Sequence, residues 1–141
     1  KSFIHHNIQG YNSSIEAGIG SVMASYSAIN FVPLASGTYL NSILKGDLNF
    51  DGFVISDYSE IEKLSAQYLP TSLETMKKNE SVATMLAAGI DMFMIPVKSS
   101  MLDYIDAIKT GLERDTVSME RLNEAVARVI SVKLGLGMIE T

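Results

Sequence analysis

The strongest candidate for chemistry in this sequence is Asp57, which lies between the hydroxyl of Ser56 and the aromatic ring of Tyr58. The apolar run before it, residues 53–55, is short, follows a glycine and has strong β character, which predicts a buried strand. The carboxyl end of such a strand is where parallel α/β proteins bind ligands and carry out catalysis. The alternative interpretation is an Asp that caps a helix starting near residue 59.

Other titratable residues are weaker candidates. Asp91 lies at the start of its predicted strand, the end that serves stability in such folds, and we expect it to anchor the preceding turn or to pair with a basic group. Glu60 and Glu62 fit a solvated helix face. His5 and His6 are adjacent, so they point to different sides of a helix, and no cysteine or nearby carboxylate completes a metal site. The sequence therefore predicts no metal centre.

Two further side chains lie near the end of the first predicted strand, residues 21–26. Met23 has core filling as its simplest role, and Tyr26 fits a partly buried ring with a bonded hydroxyl. The glycines of the chain match neither a phosphate-binding loop nor a dinucleotide fingerprint.

Hydrophobic spacing places these residues on alternating helices and strands. Helical periodicity predicts helices at about residues 4–17, 39–44, 73–88, 100–111 and 118–134, and short apolar runs predict strands at 21–26, 52–57 and 90–95. Residues 30–37 are predicted to form a loop, and residues 100–103 resemble a capping box. Strands that start about 30 to 40 residues apart and are joined by helices predict βα units and a parallel sheet.

Three parallel strands are few for a sheet that is normally covered on both faces. The remaining faces would expose Val22, Val54, Ile55, Met92 and Met94. A complete (β/α)8 barrel takes about 250 residues, and this chain has 141. We therefore expect an α/β fold that forms the last three βα units of a TIM-type barrel, with residues 1–141 as a fragment of a larger domain.

Composition excludes several classes of function. The net charge is −5 and the basic residues are scattered, which argues against a nucleic-acid partner. The chain has no cysteines, so disulfides and thiolate chemistry are excluded. No apolar run approaches the roughly 20 residues that span a bilayer. Sequons at Asn12 and Asn79 permit glycosylation in a secreted or lysosome-like compartment, but they leave the localisation open.

A series of motifs, in one order and spacing, resembles glycoside hydrolase family 3 of the β-glucosidase and exo-glucanase type. The resemblance runs from about residue 8 to residue 138, and its matching segments are Ser21–Tyr26, Asn30 with Pro33, Tyr39–Leu40, Leu44–Gly46, Phe50–Asp57, Ala88–Met92 and Arg128–Gly137. One such motif would be weak, whereas the whole series is specific.

The resemblance implies that Asp57 is the nucleophile of a retaining, exo-acting glycosidase at the end of the seventh barrel strand. It also implies that Met23, Tyr26 and Tyr58 line the subsite for the sugar at the cleavage point. Tyr58 stands where the family commonly has Trp, and Phe31 where it commonly has Gly, so the substrate preference stays open. A retaining glycosidase uses two carboxyl groups, and no metal or organic cofactor is implied.

The rest of the site is expected outside this segment. The family's Lys-His motif belongs to an earlier strand, and its acid/base Glu usually lies in a second α/β domain, so the isolated segment is expected to be inactive. The expected partners are a β-linked glucoside or oligosaccharide, the remainder of the barrel and that C-terminal domain. The alternatives are a β-N-acetylglucosaminidase or β-xylosidase of the same family, or an inactive structural or carbohydrate-binding relative.

Overall fold

The computed structural model describes residues 2–25, 27–29, 31–58 and 74–140. Its helices are α1 (Ser2–Glu16), a π-helix (Thr38–Asp47), α2 (Glu74–Ala88), α3 (Lys98–Glu113) and α4 (Met119–Gly135). Its strands are β1 (Ser21–Met23), β2 (Ala28–Ile29), β3 (Val32–Pro33) and β4 (Phe53–Ile55). None of these helices combines the length and apolarity needed to cross a bilayer.

Two strands form the parallel sheet that the alternating pattern predicted. β1 pairs with β4 so that Met23 lies opposite Ile55, and Ile55 in turn bridges Met92 in parallel. The parallel order of the three predicted strands is therefore confirmed. The third of them, residues 90–95, is reduced to that single bridge within the described part of the chain.

A small antiparallel hairpin lies where the sequence predicted only a loop. β2 pairs with β3, with Ala28 opposite Pro33 and Ile29 opposite Val32. Phe31, which lies between the two strands, has φ of 65°, the left-handed conformation that two-residue hairpin turns favour. The loop prediction was wrong here because the turn residues of this segment also fit a tight hairpin.

The predicted helices are present, with corrections at their ends. Ser118 caps α4 as predicted, since its Oγ accepts a hydrogen bond from the main-chain N–H of Arg121 at 3.3 Å. The prediction of a capping box at residues 100–103 was wrong, because α3 begins at Lys98 and has no side-chain cap. Gly111 does not stop α3 but lets the helix pack closely, because a Cβ there would lie 2.5 Å from Cγ2 of Val117.

The helices cover one face of the parallel sheet. Val54 is fully buried there with Ala24 and Ser56, so the prediction that Val54 would be exposed was wrong. Met23, which ends β1 just before Ala24, and Met92, which bridges Ile55, are exposed on the other face. Side chains alternate between the two faces of a strand, so within the described ranges the helices cover only one side of the sheet.

Candidate active site

Asp57 lies two residues beyond β4, at the carboxyl end of the parallel sheet, where the sequence predicted it. Its side chain is half-buried, and its Oδ1 accepts a hydrogen bond from the main-chain N–H of Tyr58 at 2.7 Å. That bond fixes one carboxylate oxygen against the backbone. The alternative role, the cap of a helix starting near residue 59, lies outside the described residues.

Of the other predicted site residues, the structure describes Met23 and Tyr58. Met23 is 50% exposed and ends β1 opposite Ile55, which lies two residues before Asp57. Tyr58 follows Asp57 directly, and its side chain is 55% exposed. Tyr26 lies outside the described residues. The structure therefore brings Met23, Asp57 and Tyr58 to one edge of the sheet.

Ser56 holds the end of β4 in place, a role that the sequence analysis missed. It is only 2% exposed, its main-chain N–H donates to the carbonyl of Met92 at 2.9 Å, and its Oγ accepts from the N–H of Met94 at 3.0 Å. The same hydroxyl donates to the carbonyl of Asp57 at 3.1 Å. The sequence does carry a signal for this role: Ser56 is a polar residue two positions after Val54, which places its side chain on the same, buried face of the strand.

An ionic cluster lies toward the other end of β4 and is centred on Asp91, whose side chain is fully buried. Its Oδ1 accepts from Nζ of Lys45 at 2.8 Å and also binds Nη2 of Arg121. Its Oδ2 accepts from the main-chain N–H of Val54 at 2.8 Å. The prediction that Asp91 pairs with a basic group is confirmed.

Two further charged residues extend this cluster to the start of β4. Nε of Arg128 donates to Glu124 at 2.9 Å, and its Nη1 donates to the carbonyls of Phe50 and Gly52 at 3.0 and 2.9 Å. Burial lowers the pKa of Lys45 below its ordinary value of 10.5 and outweighs the hydrogen bond to Asp91, which raises it. The sequence predicted a basic partner for Asp91 but not which residues form the cluster, because Lys45, Asp91 and Arg121 are far apart along the chain.

No group of three His, Cys, Asp or Glu side chains in the described ranges could hold a metal ion. Glu60 and Glu62 lie outside those ranges. A cavity of about 270 Å³ lies between α1, β1 and the π-helix, and Tyr11, Val22 and Tyr39 contribute to its mostly apolar wall. Met23 is one of its lining residues and Asp57 is not, so the cavity borders the edge that carries the carboxylate without including Asp57.

The chain is similar to known proteins over most of its length. The family model described as "Glycosyl hydrolase family 3 N terminal domain" matches residues 1–132. The chain is 32% identical over 124 residues to "Lysosomal beta glucosidase" of Dictyostelium discoideum, with 86% of this chain and 14% of that protein covered. It is 30% identical over 128 residues to "Beta-xylosidase" of Formosa agariphila, with 89% of this chain and 17% of that protein covered.

A solved structure gives the same result at the level of fold. The crystal structure of a beta-glucosidase from Listeria innocua superposes with a TM-score of 0.78 at 25% identity, and the match covers 93% of this chain and 17% of that one. The chain thus spans less than one fifth of the length of each of these three proteins.

Proposed function

This chain belongs to glycosyl hydrolase family 3, and we propose that it forms the last three βα units of the family's barrel and carries the catalytic nucleophile. The N-terminal domain of the family is a barrel of the TIM type. The parallel order of β1, β4 and the segment at Met92 supports the placement. Met23 is half-exposed among the described residues, as expected for a residue that fills a barrel interior together with other strands.

The reaction that we propose is retaining hydrolysis of a β-glycosidic bond. The Asp57 carboxylate attacks the anomeric carbon, the bond from that carbon to the leaving oxygen breaks, and a glycosyl ester forms on Asp57. A second carboxyl group, from outside this chain, protonates the leaving oxygen about 5 to 5.5 Å from the nucleophile, then deprotonates the water that cleaves the ester. The observation that carries the proposal is the position of Asp57 directly beyond the carboxyl end of a parallel strand.

The sugar at the cleavage point is proposed to contact Met23, Tyr26 and Tyr58. An exposed tyrosine ring beside the nucleophile can stack on the apolar face of a pyranose, and an exposed methionine supplies an adaptable apolar contact. A β-glucoside is the substrate class that we favour. A β-xyloside is the second candidate, because the chain is 30% identical to the beta-xylosidase of Formosa agariphila.

Trapping with a 2-deoxy-2-fluoro-β-glucoside tests the assignment in the full-length protein. The fluorine slows both formation and hydrolysis of the glycosyl ester, and a reactive leaving group such as dinitrophenolate keeps formation fast, so mass spectrometry of a protease digest should find the sugar on Asp57. The Asp57→Asn variant should give no adduct and lose turnover. A full-length protein that bound the sugar, formed no adduct and kept its turnover in Asp57→Asn would contradict the nucleophile assignment, and the corresponding fluoroxyloside distinguishes the two substrate classes.

A further inference from the structure

The pairing between β4 and the segment after α2 departs from a regular parallel ladder. Around the bridge from Ile55 to Met92, the N–H of Met92 donates to the carbonyl of Val54 at 3.1 Å and the N–H of Ser56 to the carbonyl of Met92 at 2.9 Å. In an evenly spaced parallel ladder the next N–H, that of Met94, would donate to the carbonyl of Ser56. Here it donates to the Ser56 hydroxyl at 3.0 Å instead.

The same replacement occurs on the other side of the bridge. A regular ladder would direct the N–H of Val54 to the carbonyl of Ile90. That N–H donates instead to Oδ2 of Asp91 at 2.8 Å, and the carbonyl of Ile90 accepts from Arg121 at 2.9 Å. Two side chains, one at each end, therefore take the place of main-chain acceptors in holding the segment to β4.

Of these two side chains, that of Ser56 is also hydrogen-bonded to the main chain of Asp57, the proposed nucleophile. The Ser56 hydroxyl accepts from Met94 and donates to the carbonyl of Asp57 at 3.1 Å, so it ties the main chain of Asp57 to the neighbouring segment. The hydroxyl is buried, and a buried hydroxyl with both a donor and an acceptor partner has a fixed orientation. Beyond Ser56 the Asp57 carboxylate is held by the N–H of Tyr58.

We infer that Ser56 is a positioning residue for Asp57, acting through the bonds of its hydroxyl to Met94 and to the Asp57 carbonyl. The inference rests on the proposed function of Asp57 and adds the group that sets its geometry. A nucleophile displaced by about 1 Å can lose about a hundredfold in rate, whereas binding of the sugar, which uses other contacts, is little affected. Loss of the hydroxyl should therefore lower the rate of the chemical step more than the affinity.

The test is the rate of covalent labelling of the full-length protein by the 2-deoxy-2-fluoro-β-glucoside. At saturating reagent, Ser56→Ala should be labelled ten- to a hundredfold more slowly than the wild type. The reagent concentration that gives half the maximal rate should change by no more than about twofold. Ser56→Cys, whose sulfur is a weaker acceptor of similar size, should fall between the two, and it serves as the second variant if Ser56→Ala does not fold.

Val54→Ala is the matched control, because Val54 is fully buried on the same strand and face but its side chain makes no hydrogen bond. It should lower the thermal midpoint and keep the labelling rate within threefold of the wild type. Equal labelling rates for Ser56→Ala and the wild type, or losses of rate in both variants that follow their losses of stability, would overturn the inference. A wild-type protein that takes no label on Asp57 would instead refute the proposed function.

Discussion

The carboxylate of Asp91 accepts a hydrogen bond from the main-chain N–H of Val54 at 2.8 Å, in the place of a ladder carbonyl. Its other oxygen binds Lys45 and Arg121. One buried side chain thus fixes the register of a strand pair and neutralises cations from two helices. Because Val54 lies three residues before Asp57 on the same strand, this bond sets the starting point of the segment that carries the proposed nucleophile.

Asp91→Asn should destabilise the protein by about 3–5 kcal/mol, because two largely buried cations lose their buried anion and keep only the half-exposed carboxylate of Glu124. Urea unfolding of the full-length protein, monitored by far-UV circular dichroism, measures the change in the free energy of unfolding. Asp106→Asn is the matched control, because Asp106 is exposed and its pair with Lys109 is 4.0 Å long, so its loss should cost less than about 1 kcal/mol. Similar midpoints for the two variants would contradict the role of Asp91.

Lys45→Met should leave stability at pH 7 within about 1 kcal/mol of the wild type or raise it, because Arg121 still neutralises Asp91 and burying an ammonium is costly. Burial lowers the pKa of Lys45 below 10.5 in the folded state. The unfolded chain therefore binds the Lys45 proton more tightly than the folded protein does. Between the lowered pKa and 10.5 the unfolded state holds more protons, so the free energy of unfolding of the wild type increases as the pH rises.

Thermal midpoints measured from pH 7 to pH 10.5 check this sign. The wild type should gain stability relative to Lys45→Met as the pH rises through that window. Parallel profiles for the two proteins would mean that the burial of Lys45 has no effect on its protonation.

The sequence predicted the elements whose signals are local. Leu122, Val126 and Ile130 recur at helical spacing within α4, and the short apolar run before Asp57 is strand β4, whose central residue Val54 is buried. The carboxyl end of that run also located Asp57 correctly, because a parallel sheet collects its strand ends at one edge.

What the sequence could not predict depends on residues that are distant along the chain. Ser56 bonds to Met94 across 38 positions, and Lys45 bonds to Asp91 across 46. Neither pair has a periodicity or a motif, so each exists only once the sheet has formed. The shortened third strand has the same cause, because the side chains of Ser56 and Asp91 replace the main-chain groups that would extend its ladder.

Gly52→Ala should destabilise the protein by about 1–3 kcal/mol, because a Cβ there would meet the main chain of Gly20 and lie 2.6 Å from Cζ of Phe50. A main-chain carbonyl cannot move aside without shifting β1 or β4. Gly135→Ala at the end of α4 is the control, because no atom lies within 4 Å of its added Cβ, and it should gain about 0.4–1 kcal/mol. Chemical denaturation measures the free energy of unfolding of both variants. A change in the same direction for the two would contradict the close approach of the strands.

Phe31→Gly should raise stability by up to about 1 kcal/mol. Phe31 has φ of 65°, which costs a residue with a Cβ about 1–2 kcal/mol, whereas glycine adopts it freely and loses part of that gain through its greater unfolded-state entropy. Its side chain is fully exposed, so no buried apolar area is lost. Phe31→Ala keeps the Cβ and should stay at the wild-type thermal midpoint. If Phe31→Ala gained as much stability as Phe31→Gly, the effect would come from removal of the aromatic ring and not from the backbone conformation.

Asp57→Gly should lose turnover of an aryl β-glucoside by at least about a thousandfold, as removal of a covalent nucleophile does. Azide is small enough to enter the space vacated by the carboxylate and to attack the anomeric carbon from the same side, with the aryl oxide leaving. The product should be the α-glucosyl azide, because only one displacement occurs instead of two. Proton NMR of the anomeric coupling identifies it, and chloride at equal ionic strength controls for salt. Loss of turnover without an azide product would leave Asp57 a structural residue, whereas formation of the α-azide shows that the missing group was the nucleophile.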